Sequence, residues 1–110
     1  MARALITIPP SPKRGDIIEI RVLIQHQMET GFRVTSEGKL VPRDIIKKFT
    51  CRFNDGATTE QIISAELFPA ITANPYLAFN MVAAASGTFT FTWEGDSGFN
   101  QTETAALKVV

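Results

Sequence analysis

The sequence predicts an all-β sandwich, in which two antiparallel sheets pack face to face. Apolar and polar residues alternate with a period of two along several segments, and these segments end at glycine, proline, asparagine or aspartate. About seven such segments fit into 110 residues, which is typical of a one-domain sandwich. No apolar residues recur at helical spacing over a comparable length. We therefore expect a single domain over residues 1–110.

The first two strands are predicted at Leu5–Ile8 and Asp16–Ile24. In the second, isoleucine and valine at 18, 20, 22 and 24 share one face, while Glu19 and Arg21 take the other, as in a half-buried strand. The prolines between the two segments, together with Gly15, force a loop because proline lacks the N–H that a continuing sheet requires.

The clearest strand is Thr88–Trp93, where aromatic residues and threonines alternate and both residue types favour a pleated surface. Turns are predicted at residues 54–56, 86–87 and 95–98, since glycine and Asn/Asp tolerate positive φ. A short helical turn over Thr58–Ile63 is a competing possibility. The remaining strands are predicted at Ile46–Phe53, Gln61–Leu67, Leu77–Ala83 and Glu103–Val109.

Charge and hydropathy exclude two classes of partner. Eleven basic and eleven acidic residues cancel, which argues against nucleic acid, since a polyanion selects a basic face. No apolar run approaches the roughly 20 residues that cross a bilayer, so no membrane association is expected. The apolar stretch near the start is too short for a signal peptide, which taken alone predicts a cytoplasmic protein.

One segment interrupts the strand pattern. Residues 25–43 form a predicted loop of 19 residues, and loops of that length are either functional or disordered. Arginine beside methionine and phenylalanine is enriched at protein interfaces, although charged loops are equally often only solvated, and arginine also holds small oxyanions. The candidate contact residues here are His26, Met28, Phe32, Arg33, Pro42 and Arg43.

Nucleophilic or metal chemistry would have to use Cys51 and His26, the only cysteine and histidine. Cys51 is in phase with Phe49 and Phe53 on a predicted strand, which directs it into the core, where a thiol is inert. A metal site needs three or four clustered donors, and no tight acidic cluster supplies them. We predict no catalytic residue, cofactor or metal, and expect His26 to anchor the loop or to lie in an interface.

The loop and its flanks resemble those of the SoxZ family. The resemblance extends over nearly the whole chain, in the family's order, at the family's typical length. Its motifs are His26-Gln27-Met28-Glu29-Thr30-Gly31, Gly38-Lys39-Leu40-Val41-Pro42-Arg43, Ile45-Ile46-Lys47-Lys48-Phe49, Ala73-Asn74-Pro75-Tyr76 and Gly87-Thr88-Phe89-Thr90-Phe91-Thr92-Trp93.

This resemblance implies an immunoglobulin-like sandwich that pairs with SoxY in the SoxYZ complex of bacterial thiosulfate oxidation. SoxY carries the sulfur on a cysteine near its C-terminus, and other sulfur-oxidation enzymes act on that complex. No carrier cysteine matches at the end of this chain, so the resemblance implies a non-catalytic subunit. It also implies a periplasmic location, with the export signal on the partner, and adds Asn74 and Tyr76 to the interface candidates.

Two alternatives remain open from the residues alone. Cys51 itself could hold sulfur, which would make the chain a carrier or an enzyme. The chain could instead be a generic immunoglobulin-like adhesion or structural domain. A partner-binding face left empty could also give a homo-oligomer when the chain is isolated.

Overall fold

The computed structural model describes residues 2–110, which form seven strands and one short 3₁₀ turn. The alternation along each strand places one set of side chains inside and the other in solvent. The strands are β1 (Ala4–Thr7), β2 (Ile17–Ile24), β3 (Ile46–Asn54), β4 (Thr59–Glu66), β5 (Tyr76–Val82), β6 (Gly87–Gly95) and β7 (Asn100–Leu107), with the 3₁₀ turn at Asp96–Gly98 between β6 and β7.

Two antiparallel sheets face each other. One has the strand order β1-β2-β5 and the other β4-β3-β6-β7. The hairpins β3–β4 and β6–β7 stay within the second sheet, while the connections β2–β3, β4–β5 and β5–β6 cross between sheets, as in immunoglobulin-like sandwiches. The predicted all-β, immunoglobulin-like sandwich of about seven strands is confirmed.

An aromatic stripe fills the space between the sheets. β3 and β6 pair so that Phe49 lies opposite Trp93 and Phe53 opposite Phe89. The Phe49 and Trp93 ring centroids are 5.3 Å apart, and those of Phe53 and Phe89 are 4.8 Å apart. Burying one such side chain contributes roughly 1.5–3 kcal/mol. The facing sheet contributes the β2 residues Ile18, Ile20, Val22 and Ile24, all buried.

The helical turn considered for Thr58–Ile63 is wrong, because residues 59–63 lie in β4 and Thr58 ends the turn before it. Asp55 closes the β3–β4 turn, since its Oδ1 accepts hydrogen bonds from the Ala57 and Thr58 N–H groups, both at 2.9 Å. Closing the turn within four residues starts β4 at Thr59, two residues before the predicted Gln61. β7 likewise begins at Asn100, three residues before its predicted start.

The strand directions place three loops at one end of the sandwich. β2, β4 and β6 run toward this end, whereas β3, β5 and β7 start there. We call this end the apical surface and define it as residues 25–45, 67–75 and 96–99. Among residues 2–110, no helix is long and apolar enough to cross a membrane.

Substituting Phe91 by alanine tests the contribution of the stripe to stability. Phe91 is fully buried and stacks on Phe89 and Trp93. We expect its loss to lower the free energy of unfolding by about 3–5 kcal/mol, because a cavity remains. Thr104→Ala, on the solvent side of β7, is the control and should change stability by less than about 1 kcal/mol. Equal effects in urea unfolding would contradict the packing described.

Candidate partner-binding surface

The β2–β3 loop, residues 25–45, is an irregular hairpin. Glu29 and Asp44 exchange backbone hydrogen bonds of 2.8 and 2.9 Å. Further out, the Val41 N–H donates to the Arg33 carbonyl at 2.8 Å, and a turn that ends at Gly38 closes the tip. Gly38 has a φ of 83°, which favours glycine. The loop is therefore an ordered hairpin and not a disordered segment.

His26 anchors the base of this hairpin. Its Nδ1 accepts a hydrogen bond from the Met28 N–H at 3.0 Å, so the neutral ring carries its proton on Nε2. Nε2 lies 3.8 Å from Asp44 Oδ1, and the ring packs edge-on against Phe99 with centroids 5.1 Å apart. Only 8% of the side chain is exposed. His26 is therefore held within the base of the hairpin by contacts of its ring.

Asn74 joins the β4–β5 loop to His26. Its N–H donates to the His26 carbonyl at 2.8 Å, and its Oδ1 accepts from the His26 N–H at 3.0 Å. Asn74 has a φ of 55°, a left-handed conformation that asparagine adopts more readily than most residues. Two sequence candidates 48 residues apart are thus in direct contact.

Met28 lies in the core and is only 4% exposed. Its Sδ accepts a hydrogen bond from the Ile46 N–H at 3.2 Å. Met28 was predicted as a contact residue, but its side chain has almost no exposed surface. Its physical role is to fasten the hairpin to the start of β3, since thioether side chains fill irregular core gaps.

Asp96 fixes the other side of the hairpin base. Its carboxylate accepts two hydrogen bonds from the Arg43 guanidinium, both at 2.9 Å, and one from the Ile45 N–H at 3.1 Å. Lys47 Nζ lies 3.6 Å away. The Arg43 hydrogen bonds, chiefly, hold the pKa of Asp96 below its ordinary value. The predicted turn at residues 95–98 therefore also holds the two cationic side chains.

Arg33 is likewise paired within the loop. Its guanidinium Nε lies 3.0 and 3.1 Å from the two Glu29 carboxylate oxygens. Hydrogen bonding from Arg33 is the main reason that the pKa of Glu29 is lowered. Because Arg33 and Arg43 both direct their forked edge at a carboxylate of this chain, neither presents that edge to a small oxyanion. Their remaining surface, about half of each side chain, faces solvent.

Apolar side chains project from the apical surface. Phe32 is 82% exposed, and Phe68 and Leu40 are each 62% exposed. Sequence reasoning selected Phe32 and missed the others, although apolar residues inside polar loops were a visible signal. Of the large hydrophobic side chains exposed among residues 2–110, those at this end are Phe32, Val34, Leu40, Phe68 and Ile71.

A concave pocket of about 310 Å³ lies at the edge of the apical surface. Its apolar part is formed mainly by the β4–β5 loop, and its cationic part by the end of the β2–β3 loop and the start of β3. The lining residues are Arg43, Ile45, Lys47, Lys48, Glu66, Leu67, Phe68 and Pro69.

The last two candidates lie apart from His26. Pro42 is exposed on the returning arm of the hairpin. Tyr76, at the start of β5, is 56% exposed and pairs with Leu23 across the sheet. Its side chain therefore stands on the outer face of the three-stranded sheet and borders the apical surface through Pro75.

Cys51 is sealed between the sheets. It has no exposed surface, and its strand neighbours are Ile63 and Phe91. Burial raises the pKa of the thiol to about 12. A thiolate is the nucleophilic form of cysteine, so this residue is protonated near neutral pH and inaccessible to a substrate. Within residues 2–110, no three His, Cys, Asp or Glu side chains come together in a group that could hold a metal ion.

These features define an immunoglobulin-like β-sandwich protein with an ordered loop surface at one end. Comparison with protein families identifies which one. Residues 6–106 match the family described as sulphur oxidation protein SoxZ. The chain therefore belongs to the SoxZ family, a family of thiosulfate and sulfur oxidation. A search of curated proteins found no significant relative.

Solved structures share the fold at low sequence identity. A superoxide reductase (neelaredoxin) from Ignicoccus hospitalis is 13% identical, with a TM-score of 0.75 over 99% of this chain and 82% of that one. The sulfur carrier protein SoxY from Chlorobium limicola f. thiosulfatophilum is 12% identical, with a TM-score of 0.67 over 97% of this chain and 78% of that one. At such low sequence identity, the two similarities are evidence of a shared fold alone.

Two substitutions of Asn74 separate its side chain from its backbone conformation. Asn74→Gly keeps the positive φ and loses the acceptor for the His26 N–H, so we expect a loss of about 1 kcal/mol in the free energy of unfolding. Asn74→Ala loses both and should cost about 1 kcal/mol more. Urea unfolding measures the difference. Wild-type stability of Asn74→Ala would show that this junction contributes nothing.

The buried thiol makes stability fall at alkaline pH. Cys51 stays protonated in the folded protein up to about pH 12, whereas the unfolded chain ionises from about pH 9. Between these values the free energy of unfolding should decrease by about 1.4 kcal/mol per pH unit, with no effect below the lower value. Cys51→Ala lacks this contribution. Its stability difference from wild type should therefore shrink as the pH rises, and parallel pH curves would contradict the burial of the thiol.

Proposed function

We propose that this protein is a non-catalytic subunit of a SoxYZ-like complex and binds a SoxY-like sulfur carrier through its apical surface. The observation that carries this proposal is the cluster of exposed apolar side chains on loops held rigidly by His26, Asn74 and Asp96. SoxZ-family membership supplies the pathway.

Rigid loops suit this role for an energetic reason. Binding costs free energy whenever it orders flexible side chains and loops, so a surface ordered in advance retains more of the energy of its contacts. Apolar anchors such as Phe32 and Phe68 gain by leaving water. Arg33 and Arg43, already neutralised by carboxylates, provide a polar rim with a small desolvation cost compared with unpaired charges.

In this proposal the sulfur chemistry belongs to the partner. The resemblance to SoxZ implies that the sulfur is attached to a cysteine of the SoxY-like chain, and other enzymes of the pathway reach it there. This chain supplies a docking and shielding surface and holds no cofactor. We further propose that the pair works in the periplasm and that the partner carries the export signal.

The two alternatives from the sequence have weaker support. A carrier role for Cys51 requires a thiolate open to solvent, and the residue is fully buried with a raised pKa. A generic adhesion domain would not be expected to match the SoxZ family over residues 6–106. Neither alternative has a specific observation in its favour.

Alanine substitutions at Phe32 and Phe68 test the binding surface. Both side chains are more than half exposed, so their removal should leave the fold unchanged. Each should weaken binding to the SoxY-like carrier about tenfold or more, because a buried aromatic anchor is worth about 1.4 kcal/mol or more. Isothermal titration calorimetry with the purified carrier gives the affinity.

Val110→Ala is the matched control. Val110 is 64% exposed, and its backbone bonds to Pro12 and Arg14 at the opposite end of the sandwich. Its affinity should equal that of wild type. Unchanged affinity in Phe32→Ala and Phe68→Ala together, with wild-type melting curves, would remove the apical surface from the proposal.

A further inference from the structure

β5 is an uncharged strand at the edge of a sheet. It pairs with β2 on one side only, and within residues 2–110 the one loop backbone hydrogen bond to its other side runs from the Ala84 N–H to the Val82 carbonyl at 3.0 Å, at the end of the strand. Its seven residues, Tyr-Leu-Ala-Phe-Asn-Met-Val, contain no charge and no proline, and its pairing with β2 shows no bulge. A regular, exposed and apolar edge of this kind is a template for strand pairing.

The other edge strands carry the features that usually prevent such pairing. β1 has only four residues. β4 contains Glu60 and Glu66 and pairs with β3 across a bulge at Cys51 and Arg52. β7 contains Glu103, and its Gln101 side chain bonds to Ala2. Only β5, among the four edges of the described chain, lacks every protective device.

The outer face of the three-stranded sheet bears apolar side chains at both ends of β5. At the apical end, Leu5, Leu23 and Tyr76 form one row across β1, β2 and β5. At the other end, Ile17 lies opposite Val82. Four of these side chains are exposed by more than half, with Leu5 at 61%, Ile17 at 76%, Tyr76 at 56% and Val82 at 53%.

We propose that two copies of this chain pair antiparallel through β5 and form a six-stranded sheet, β1-β2-β5 against β5-β2-β1 of the second copy. The two-fold axis passes through Phe79. Tyr76 then lies opposite Val82 of the second copy, and Ala78 opposite its Asn80. The contact is isologous and therefore closes as a dimer.

The alternation of side chains between the two faces of the sheet selects this register. Residues directly opposite each other in an antiparallel pair point to the same face. The outward residues of β5 are Tyr76, Ala78, Asn80 and Val82, so they must face one another if the second sheets of both sandwiches are to lie on the same side. The axis at Phe79 satisfies this condition and is the one that pairs all seven residues.

The same register joins the two apolar groups. The row Leu5, Leu23, Tyr76 of one copy continues into Val82 and Ile17 of the other, and the symmetry repeats this row. Side chains that are isolated and exposed on one chain thus become a continuous apolar band across five strands, where cross-strand apolar pairs stabilise a sheet. No charged residue of β5 opposes the contact.

The proposal does not depend on the proposed function, because it uses the β5 edge and not the apical loops. Sedimentation velocity of the purified chain should show a dimer whose fraction rises with concentration. Hydrogen exchange of the outward β5 amides should slow as the dimer forms. A monomer at all concentrations, with fast β5 exchange, would overturn the pairing.

Two variants that differ at one position test the register. Ala78 lies beside Arg21, and Asn80 lies beside Glu19. In the variant with Ala78→Glu and Asn80→Lys, each new side chain lies beside a residue of opposite charge in its own chain. It also lies opposite a residue of opposite charge in the second copy. Ala78→Glu with Asn80→Glu instead sets like charges opposite each other twice. The second variant should dissociate about tenfold more readily than the first.

Equal dimerisation of the two variants would exclude the Phe79 register. Should the doubly acidic variant fail to fold, the concentration dependence of β5 hydrogen exchange in wild type still decides. A third outcome is that the chain alone is a monomer and that β5 exchange slows only when a SoxY-like carrier is added. This outcome would overturn self-pairing and assign the edge to the carrier.

Discussion

The packing of one aromatic stripe between two sheets is the constraint on which the rest of this structure depends. Phe49, Phe91 and Trp93 occupy the inward positions of two adjacent strands, where their rings interlock. Because successive side chains of a strand point to opposite faces of the sheet, a slip of one residue would turn the aromatic rings away from the core. The register of the four-stranded sheet is therefore fixed by hydrophobic burial, and this also fixes where each strand ends.

Hydrogen bonds between polar groups then determine the conformation of the loops at the strand ends. Hydrogen bonds hold the apical loops in place together with the buried side chains of Met28, Ile45 and Leu67. His26 and Asn74 bond reciprocally, and Asp96 gathers Arg43 and the Ile45 N–H. With the polar groups used internally, the apolar side chains of the loops remain outside. An ordered surface with exposed hydrophobic groups is the physical result.

The sequence predicted the fold well and the surface only in part, for a physical reason. Alternation is local, so all seven strands were visible, with errors of at most three residues at their ends. The contact of Asp96 with Arg43 joins residues 53 apart, and nothing in either segment marks the other as its partner. Met28 was selected because arginine beside methionine and phenylalanine is enriched at protein interfaces, and composition does not reveal that its side chain lies in the core.

A shared fold does not imply a shared activity, because an activity requires particular chemical groups to be accessible. This chain has the sandwich of a superoxide reductase and of a SoxY protein, yet its only histidine and only cysteine are both committed to structure. Nδ1 of His26 accepts a backbone hydrogen bond, and Cys51 fills space between rings. What remains available to other molecules is the apical surface and an open strand edge. We propose that both surfaces act in recognition and that the sulfur chemistry belongs to the bound partner.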